Sequence, residues 1–128
     1  MTPDFKKSPD GLIPAVIQDA STNHVLMLGY MNKEAFEKTR TEKRVTFFSR
    51  SKNRLWTKGE ESGNFLNVQD ILIDCDDDTL LIKVKPVGPV CHTGNDTCFN
   101  EQNPAFTLSK LEAVIRERRE QPVENSYT

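Results

Sequence analysis

The sequence contains no apolar run near the ~20 residues that a membrane-spanning helix needs. Its start, Met1-Thr2-Pro3-Asp4-Phe5-Lys6-Lys7, has no apolar signal core behind it, so a cytoplasmic protein with no membrane partner is expected. An excess of basic charge is missing too. Lys and Arg number 17 against 19 Asp and Glu, for a formal net charge of −2. A dedicated nucleic-acid binder usually carries a strong basic bias, so no nucleic-acid partner is expected. Apolar residues are few, 36% of the chain, which is low for a self-sufficient globule. Oligomerisation, bound metals or a polar tail would each make up the deficit. Cysteine is scarce and odd in number: Cys75, Cys91 and Cys98. A reducing cytosol disfavours disulfides, which leaves metal binding or plain burial.

What is present fits one domain of ordinary size within 128 residues. Residues 11–19 read as a strand with Ile13, Ala15 and Ile17 on one face. A turn-rich stretch, Asp19-Ala20-Ser21-Thr22-Asn23, leads to a second strand over 24–30, making an antiparallel hairpin. His24, at the start of that strand, reads as an ordinary surface histidine. Asn32 reads as a helix N-cap, with Glu34 in the first turn and Lys38 and Arg40 near the end. Glu34 and Lys38 form an i,i+4 pair, and Ala35, Phe36 and Thr39 a narrow packing face, so a short helix on a sheet is expected. Residues 45–49 give another strand. Residues 65–75 and 80–87 give a second hairpin. From Phe106, Leu108, Leu111, Val114 and Ile115 recur at helical spacing, so a C-terminal amphipathic helix is expected, ending before Pro122. The fold class is α+β, mainly antiparallel β hairpins with one short helix and this C-terminal helix.

The second hairpin is interrupted by the densest charge in the chain, Asp74-Cys75-Asp76-Asp77-Asp78. Carboxylates so close repel one another unless a cation or water screens them. Strand alternation would turn Asp74 and Asp76 to one side and Cys75 to the other, with Asp78 swinging toward the first two. Three carboxylates on one side suit magnesium or a similar hard ion, whereas a thiolate prefers zinc. An EF-hand loop fails because Thr79 stands where glycine is needed and Lys85 where glutamate is needed. An acidic turn holding no metal stays open.

Cys91 and Cys98 lie seven residues apart, and Cys75 lies sixteen before Cys91, so spacing alone is a weak zinc signal. Three thiols with an open fourth position would be a catalytic type of site; three buried small apolar side chains are the plainer alternative. His92 could be a ligand, a general acid–base or a loop residue. Between the two hairpins, Arg50, Lys52, Arg54 and Lys58 place four basic residues within nine positions, interleaved with Ser51, Trp56 and glycines. The concentration, with Ser51 and Gly63 able to offer close backbone N–H approach, slightly favours an anion site such as phosphate over a solvated loop, and Arg50, Ser51, Arg54 and Lys58 are the expected contacts.

Three stretches then agree in order and spacing: Trp56-Thr57-Lys58-Gly59-Glu60-Glu61-Ser62-Gly63-Asn64; Asp74-Cys75-Asp76-Asp77-Asp78; and Cys91-His92-Thr93-Gly94 with Cys98-Phe99. Together they resemble the signatures of the phosphoribosyl-AMP cyclohydrolase family from about Gly11 to Phe99. The resemblance implies hydrolytic opening of the adenine ring between N1 and C6 of 1-(5-phosphoribosyl)-AMP, the third step of histidine biosynthesis. It implies magnesium on Asp74, Asp76 and Asp78. It also implies zinc on Cys75 of one subunit with Cys91 and Cys98 of the other, hence an intertwined homodimer. Asp77 falls where the family motif varies, often to Gly, and is left out of the ligand set. The cyclohydrolase domain is then residues 1–105. Residues 106–128 resemble the opening of a phosphoribosyl-ATP pyrophosphohydrolase domain, but the acidic metal-binding helices of that second activity are absent from them. The expectation is a cyclohydrolase domain, cut from a bifunctional protein or short by nature, without pyrophosphohydrolase activity.

Zinc-activated water attacking C6 and a proton delivered to the departing N1 by His92 complete the expected chemistry. Magnesium would orient phosphate or ribose. Two rivals have different metal requirements. A non-catalytic zinc-stabilised dimer module would leave the carboxylates and basic residues without a purpose. Another metal-dependent phosphohydrolase would have no need of three thiols.

Overall fold

The computed structural model describes residues 2–91 and 93–99. His92 and the expected C-terminal helix and tail lie outside the described residues. The elements are β1 (Ile13–Asp19), β2 (Val25–Met31), α1 (Lys33–Glu42), β3 (Thr46–Ser49), β4 (Arg54–Thr57), β5 (Leu66–Ile73) and β6 (Leu80–Pro86), preceded by a single 3-10 turn at Phe5–Lys7. The α+β class and both expected hairpins are present.

Four strands form one sheet in the order β2-β1-β6-β5. The β1–β2 and β5–β6 pairs are antiparallel. The two hairpins join through a parallel β1–β6 pairing, with Ala15 opposite Leu80. Alternation along each strand could not reveal that long-range pairing. On the inner face Ile13, Ala15, Ile17, Leu80, Ile82 and Val84 are buried and meet α1 residues Ala35 and Phe36 in one core. The outer face carries an apolar row across all four strands, because Leu28 lies opposite Val16, Val16 opposite Leu81, and Leu81 opposite Leu72. Leu28 and Leu72 are exposed.

Helix α1 begins at the expected cap: the Asn32 side chain accepts from the Ala35 N–H at 2.8 Å. It ends at Lys43, which takes a left-handed φ of 62° and donates its N–H to the Thr39 carbonyl. Thr39 closes the helix onto β3, where its Oγ1 accepts from the Thr46 N–H at 2.9 Å. The buried face is Ala35, Phe36 and Thr39, as expected. The expected Glu34–Lys38 pair is replaced, since Lys38 turns to Glu42 at 3.8 Å while Glu37 pairs with Arg40. Both pairs are exposed and so contribute little.

The stretch read as an open basic loop is in part a strand. Strand β4 pairs antiparallel with β3, setting Phe47 opposite Trp56 and Ser49 opposite Arg54. The tie is the Phe47–Trp56 contact, ring centroids 5.2 Å apart, with a Thr46–Thr57 hydroxyl bond of 2.9 Å beside it. Phe47 comes close against the β2 backbone because residue 29 is glycine. A Cβ there would stand 2.4 Å from two of the ring carbons.

Candidate active site

The small sheet and the segment after β6 enclose a cleft of about 700 Å³. One wall is β4 with the turn that follows, contributing Arg54, Trp56, Lys58, Glu60 and Ser62. The facing wall is the loop carrying Pro89, Val90, Cys91 and Gly94. That loop is shaped by its own backbone: the Cys91 N–H donates to the Asn95 carbonyl at 3.0 Å, and the Gly94 N–H donates to the Cys91 carbonyl at 2.9 Å. The Cys98 N–H donates to the Leu26 carbonyl at 2.8 Å, which fastens the end of the loop to β2.

Cys91 and Cys98 are thereby brought side by side. The Thr93 hydroxyl donates to Cys91 Sγ at 3.2 Å. This bond, seconded by the Thr93 backbone, Cys98 and the charge of Lys58, holds the Cys91 thiol below its ordinary range. Desolvation and the neighbouring Cys91 push Cys98 up. Of the two, Cys91 is the sulfur that ionises first, with Cys98 donating to it, and two adjacent sulfurs are a ready donor set for a soft metal.

Cys75 is not with them. Among the described residues, the only group of three or more carboxylate, thiol or imidazole groups close enough to share an ion is Asp74, Asp76 and Asp78. Their ligand oxygens lie within 4.8 Å of one another.

The carboxylates converge for a different reason from strand alternation. Strand β5 stops at Ile73, and residues 74–79 form a closed loop. The Asp74 N–H donates to the Thr79 carbonyl and the Asp77 N–H to the Asp74 carbonyl, at 3.0 and 3.1 Å. Asp74 Oδ1 accepts from the N–H groups of Asp78 and Thr79 at 3.0 and 3.2 Å. Desolvation works against this carboxylate, but the two N–H donors outweigh it and hold the Asp74 carboxyl below its ordinary value. Asp77 takes φ 59°, a left-handed conformation that asparagine, aspartate and above all glycine tolerate. Asp77 is therefore the residue at which the loop turns. The N-terminal 3-10 turn braces the loop from outside, through Asp4 N–H on the Asp77 carbonyl at 2.7 Å and Lys7 Nζ on the Asp76 carbonyl.

The four expected phosphate contacts divide. Arg54 and Lys58 line the cleft; Arg50 and Ser51 do not. Arg50 pairs with Asp10 at 3.0 Å and lies over the Tyr30 ring, while Ser51 sits in the exposed β3–β4 turn. Arg54 is held by Glu60 at 2.9 Å, and that bond, with the Thr57 N–H, lowers the Glu60 carboxyl. Lys58 lies 5.8 Å from the centre of the Trp56 ring. Trp56 is half-buried, belonging to the cleft wall as well as to the Phe47 contact. Ser49, Lys52, Ser62 and Asn64, none of them among the expected phosphate contacts, also line the cleft. Lys52 was signalled by its place in the basic run.

A family model for phosphoribosyl-AMP cyclohydrolase matches residues 27–100. The chain belongs to the phosphoribosyl-AMP cyclohydrolase family. Similar relatives include three proteins named histidine biosynthesis bifunctional protein HisIE. That of Bacteroides thetaiotaomicron is 60% identical over 127 residues, covering 98% of this chain and 62% of the relative. That of Pasteurella multocida is 59% identical over 124 residues, covering 93% and 62%. That of Staphylococcus epidermidis is 54% identical over 126 residues, covering 98% and 58%. The chain thus spans about three fifths of the length of these curated relatives. The family match contains the cleft turn, the acidic loop and all three cysteines, so membership rests on the stretches from which the site is built.

Proposed function

We propose that this cyclohydrolase-family chain opens the adenine ring of 1-(5-phosphoribosyl)-AMP by hydrolysis, in histidine biosynthesis. The observation that carries the proposal is the Cys91 thiol, paired with Cys98 behind it, in the wall of a cleft whose other wall presents Lys58 and Arg54. In this reaction the oxygen of water bonds to C6, the C6–N1 bond breaks and N1 takes up a proton. The N1 substituent makes the ring cationic, so C6 is already electrophilic.

The donor sets fit two metals. Cys91 and Cys98, with Cys75 from a second copy, would hold zinc, which supplies Lewis-acid activation of the attacking water. Asp74, Asp76 and Asp78 would hold magnesium, which neutralises substrate phosphate. The chain's own groups do the rest. Lys58 and Arg54 attract and orient phosphate oxygens, Arg54 by leaving Glu60. Glu60, ionised by its partners, keeps Arg54 fixed until then. His92, adjacent to the ligand Cys91 in sequence, is the proposed proton donor to N1.

A homodimer supports the shared zinc site on geometric grounds. The β5–β6 loop bearing Cys75 leaves the sheet at the end where β1 begins, on one edge. Cys98 is fastened to Leu26 near the other end of β2, on the opposite edge. The two are at diagonal corners of one sheet. A two-fold axis lying against the outer face, across that diagonal, brings each copy's Cys75 toward the other's thiols and buries the row Leu28, Val16, Leu81 and Leu72. The test is incubation of metal-replete protein with phosphoribosyl-AMP, following the ring-opened product by absorbance, with and without a chelator. Chelator-sensitive turnover is expected; its absence would overturn the proposal.

A further inference from the structure

We propose that Asn64 is a positioning residue that clamps the two walls of the cleft together and so fixes Lys58 relative to the Cys91–Cys98 pair. The inference rests on the cyclohydrolase reading for its kinetic consequence, though not for its geometry.

The residues between β4 and β5 carry Lys58, and the residues after β6 carry the thiols. In sequence these stretches are more than twenty residues apart, separated by the whole β5–β6 hairpin. Asn64 spans the gap, because its Nδ2 donates to the Pro89 carbonyl at 3.3 Å, two residues before Cys91. Its backbone is held on the Lys58 side, where its N–H donates to Ser62 Oγ at 3.2 Å. The side chain is half-buried and lies directly against the backbone of residue 88.

That contact explains why residue 88 is glycine without appeal to unusual backbone angles. A Cβ at Gly88 would stand 2.5 Å from Asn64 Oδ1 and 3.0 Å from its Cγ. The amide therefore occupies the space that any side chain at 88 would need. Asn64 suits the slot because it offers one donor to Pro89 on a short, two-torsion side chain. Aspartate has the same shape but no donor, and would set a carboxylate against the Pro89 carbonyl. Alanine has neither the donor nor the filling atoms.

Each wall has its own anchor, the Lys58 N–H on the Val45 carbonyl at 3.0 Å and the Cys98 N–H on the Leu26 carbonyl at 2.8 Å, whereas the Asn64–Pro89 bond runs from one wall to the other, so its loss loosens their relative position rather than either wall's own fold. Misplacement of reacting groups by about 1 Å can cost up to ~100-fold in rate. The test compares wild-type protein with Asn64→Ala, Asn64→Asp and Gly88→Ala, all metal-replete. With phosphoribosyl-AMP, kcat is expected to fall about tenfold or more in each variant, with KM changed less than about threefold, at unchanged zinc per chain. Independently of turnover, hydrogen exchange at the Val90 and Cys91 amides is expected to speed up about tenfold, while the β5–β6 amides keep their protection. Unchanged exchange at 90–91 in Asn64→Ala and Gly88→Ala would overturn the clamp. So would a kcat that stays at the wild-type value while only the melting temperature falls. Absence of turnover in the wild type would instead contradict the proposed reaction, and the exchange arm would still decide the clamp.

Discussion

Replacing Gly29 by alanine tests how the small sheet is seated on the large one. Gly29 lies on β2 opposite Ala15, and a Cβ there would stand 2.4 Å from Phe47 Cδ1 and Cε1 and 2.9 Å from Cζ. Phe47 is 1% exposed and has the Trp56 ring 5.2 Å away, so it cannot swing out of the way freely. Two effects oppose one another. Alanine restricts the unfolded chain and would stabilise by about 0.4–1 kcal/mol if it fitted. Overpacking of a filled core costs about 1–3 kcal/mol, and here the approach is well inside contact distance. The clash wins, leaving a net loss of about 1–2 kcal/mol. For a domain of this size that lowers Tm by roughly 3–12 °C, readable by calorimetry or circular dichroism. Phe47→Leu, which shortens the offending ring, should make the pair less destabilising than the sum of the singles by at least about 0.5 kcal/mol. A Gly29→Ala protein that melts at or above the wild-type temperature would refute the reasoning, as would strict additivity of the pair.

Other outcomes follow from single bonds. Asn32→Ala removes the cap on the Ala35 N–H and should cost about 1 kcal/mol of unfolding free energy with kcat unchanged, as denaturant titration and a turnover assay will read. Thr93→Val removes the chief donor to the Cys91 sulfur, so the thiolate loses stabilisation. In metal-free reduced protein, the pH midpoint for alkylation of Cys91, followed by peptide mass spectrometry, should move upward. A downward or absent shift would contradict the assigned cause. Asp76→Asn removes one of the three converging carboxylates and should weaken manganese binding, a paramagnetic stand-in for magnesium, several-fold by titration.

Much of the architecture was legible because the signals were local. Ile13, Ala15 and Ile17 alternate cleanly, Asn32 opens a helix where a cap should stand, and Ala35, Phe36 and Thr39 are its buried face. The β1–β6 parallel pairing was not legible, since no local pattern links Ala15 to Leu80. Strand β4 hid in a basic run because it is only four residues long, so the β-favouring Trp56 and Thr57 are outweighed by the charges and turn formers around them. What makes it a strand is pairing with β3 and the seat that Gly29 gives Phe47.

Strand alternation is not what gathers Asp74, Asp76 and Asp78, whose oxygens lie within 4.8 Å of one another. A loop folded on Asp74 Oδ1 and hinged at Asp77 brings the side chains together. Arg50 was chosen for its charge, and the Asp10 partner that draws it from the cleft lies forty residues away. Asn64 stood in the recognised stretch without a role, because its role exists only against Gly88 and Pro89.

Complementation between chains tests the shared site most directly. Cys75→Ser and Cys91→Ser proteins are each expected to be inactive toward phosphoribosyl-AMP. After the two are unfolded, mixed in equal amounts and refolded with zinc and magnesium, turnover should return to about a quarter of the wild-type value per chain. Half of randomly paired dimers are mixed, and each mixed dimer holds one intact site of two. Continued inactivity of the mixture, with both parents refolding to wild-type-like dimers, would contradict a site built from Cys75 of one copy and Cys91 and Cys98 of another.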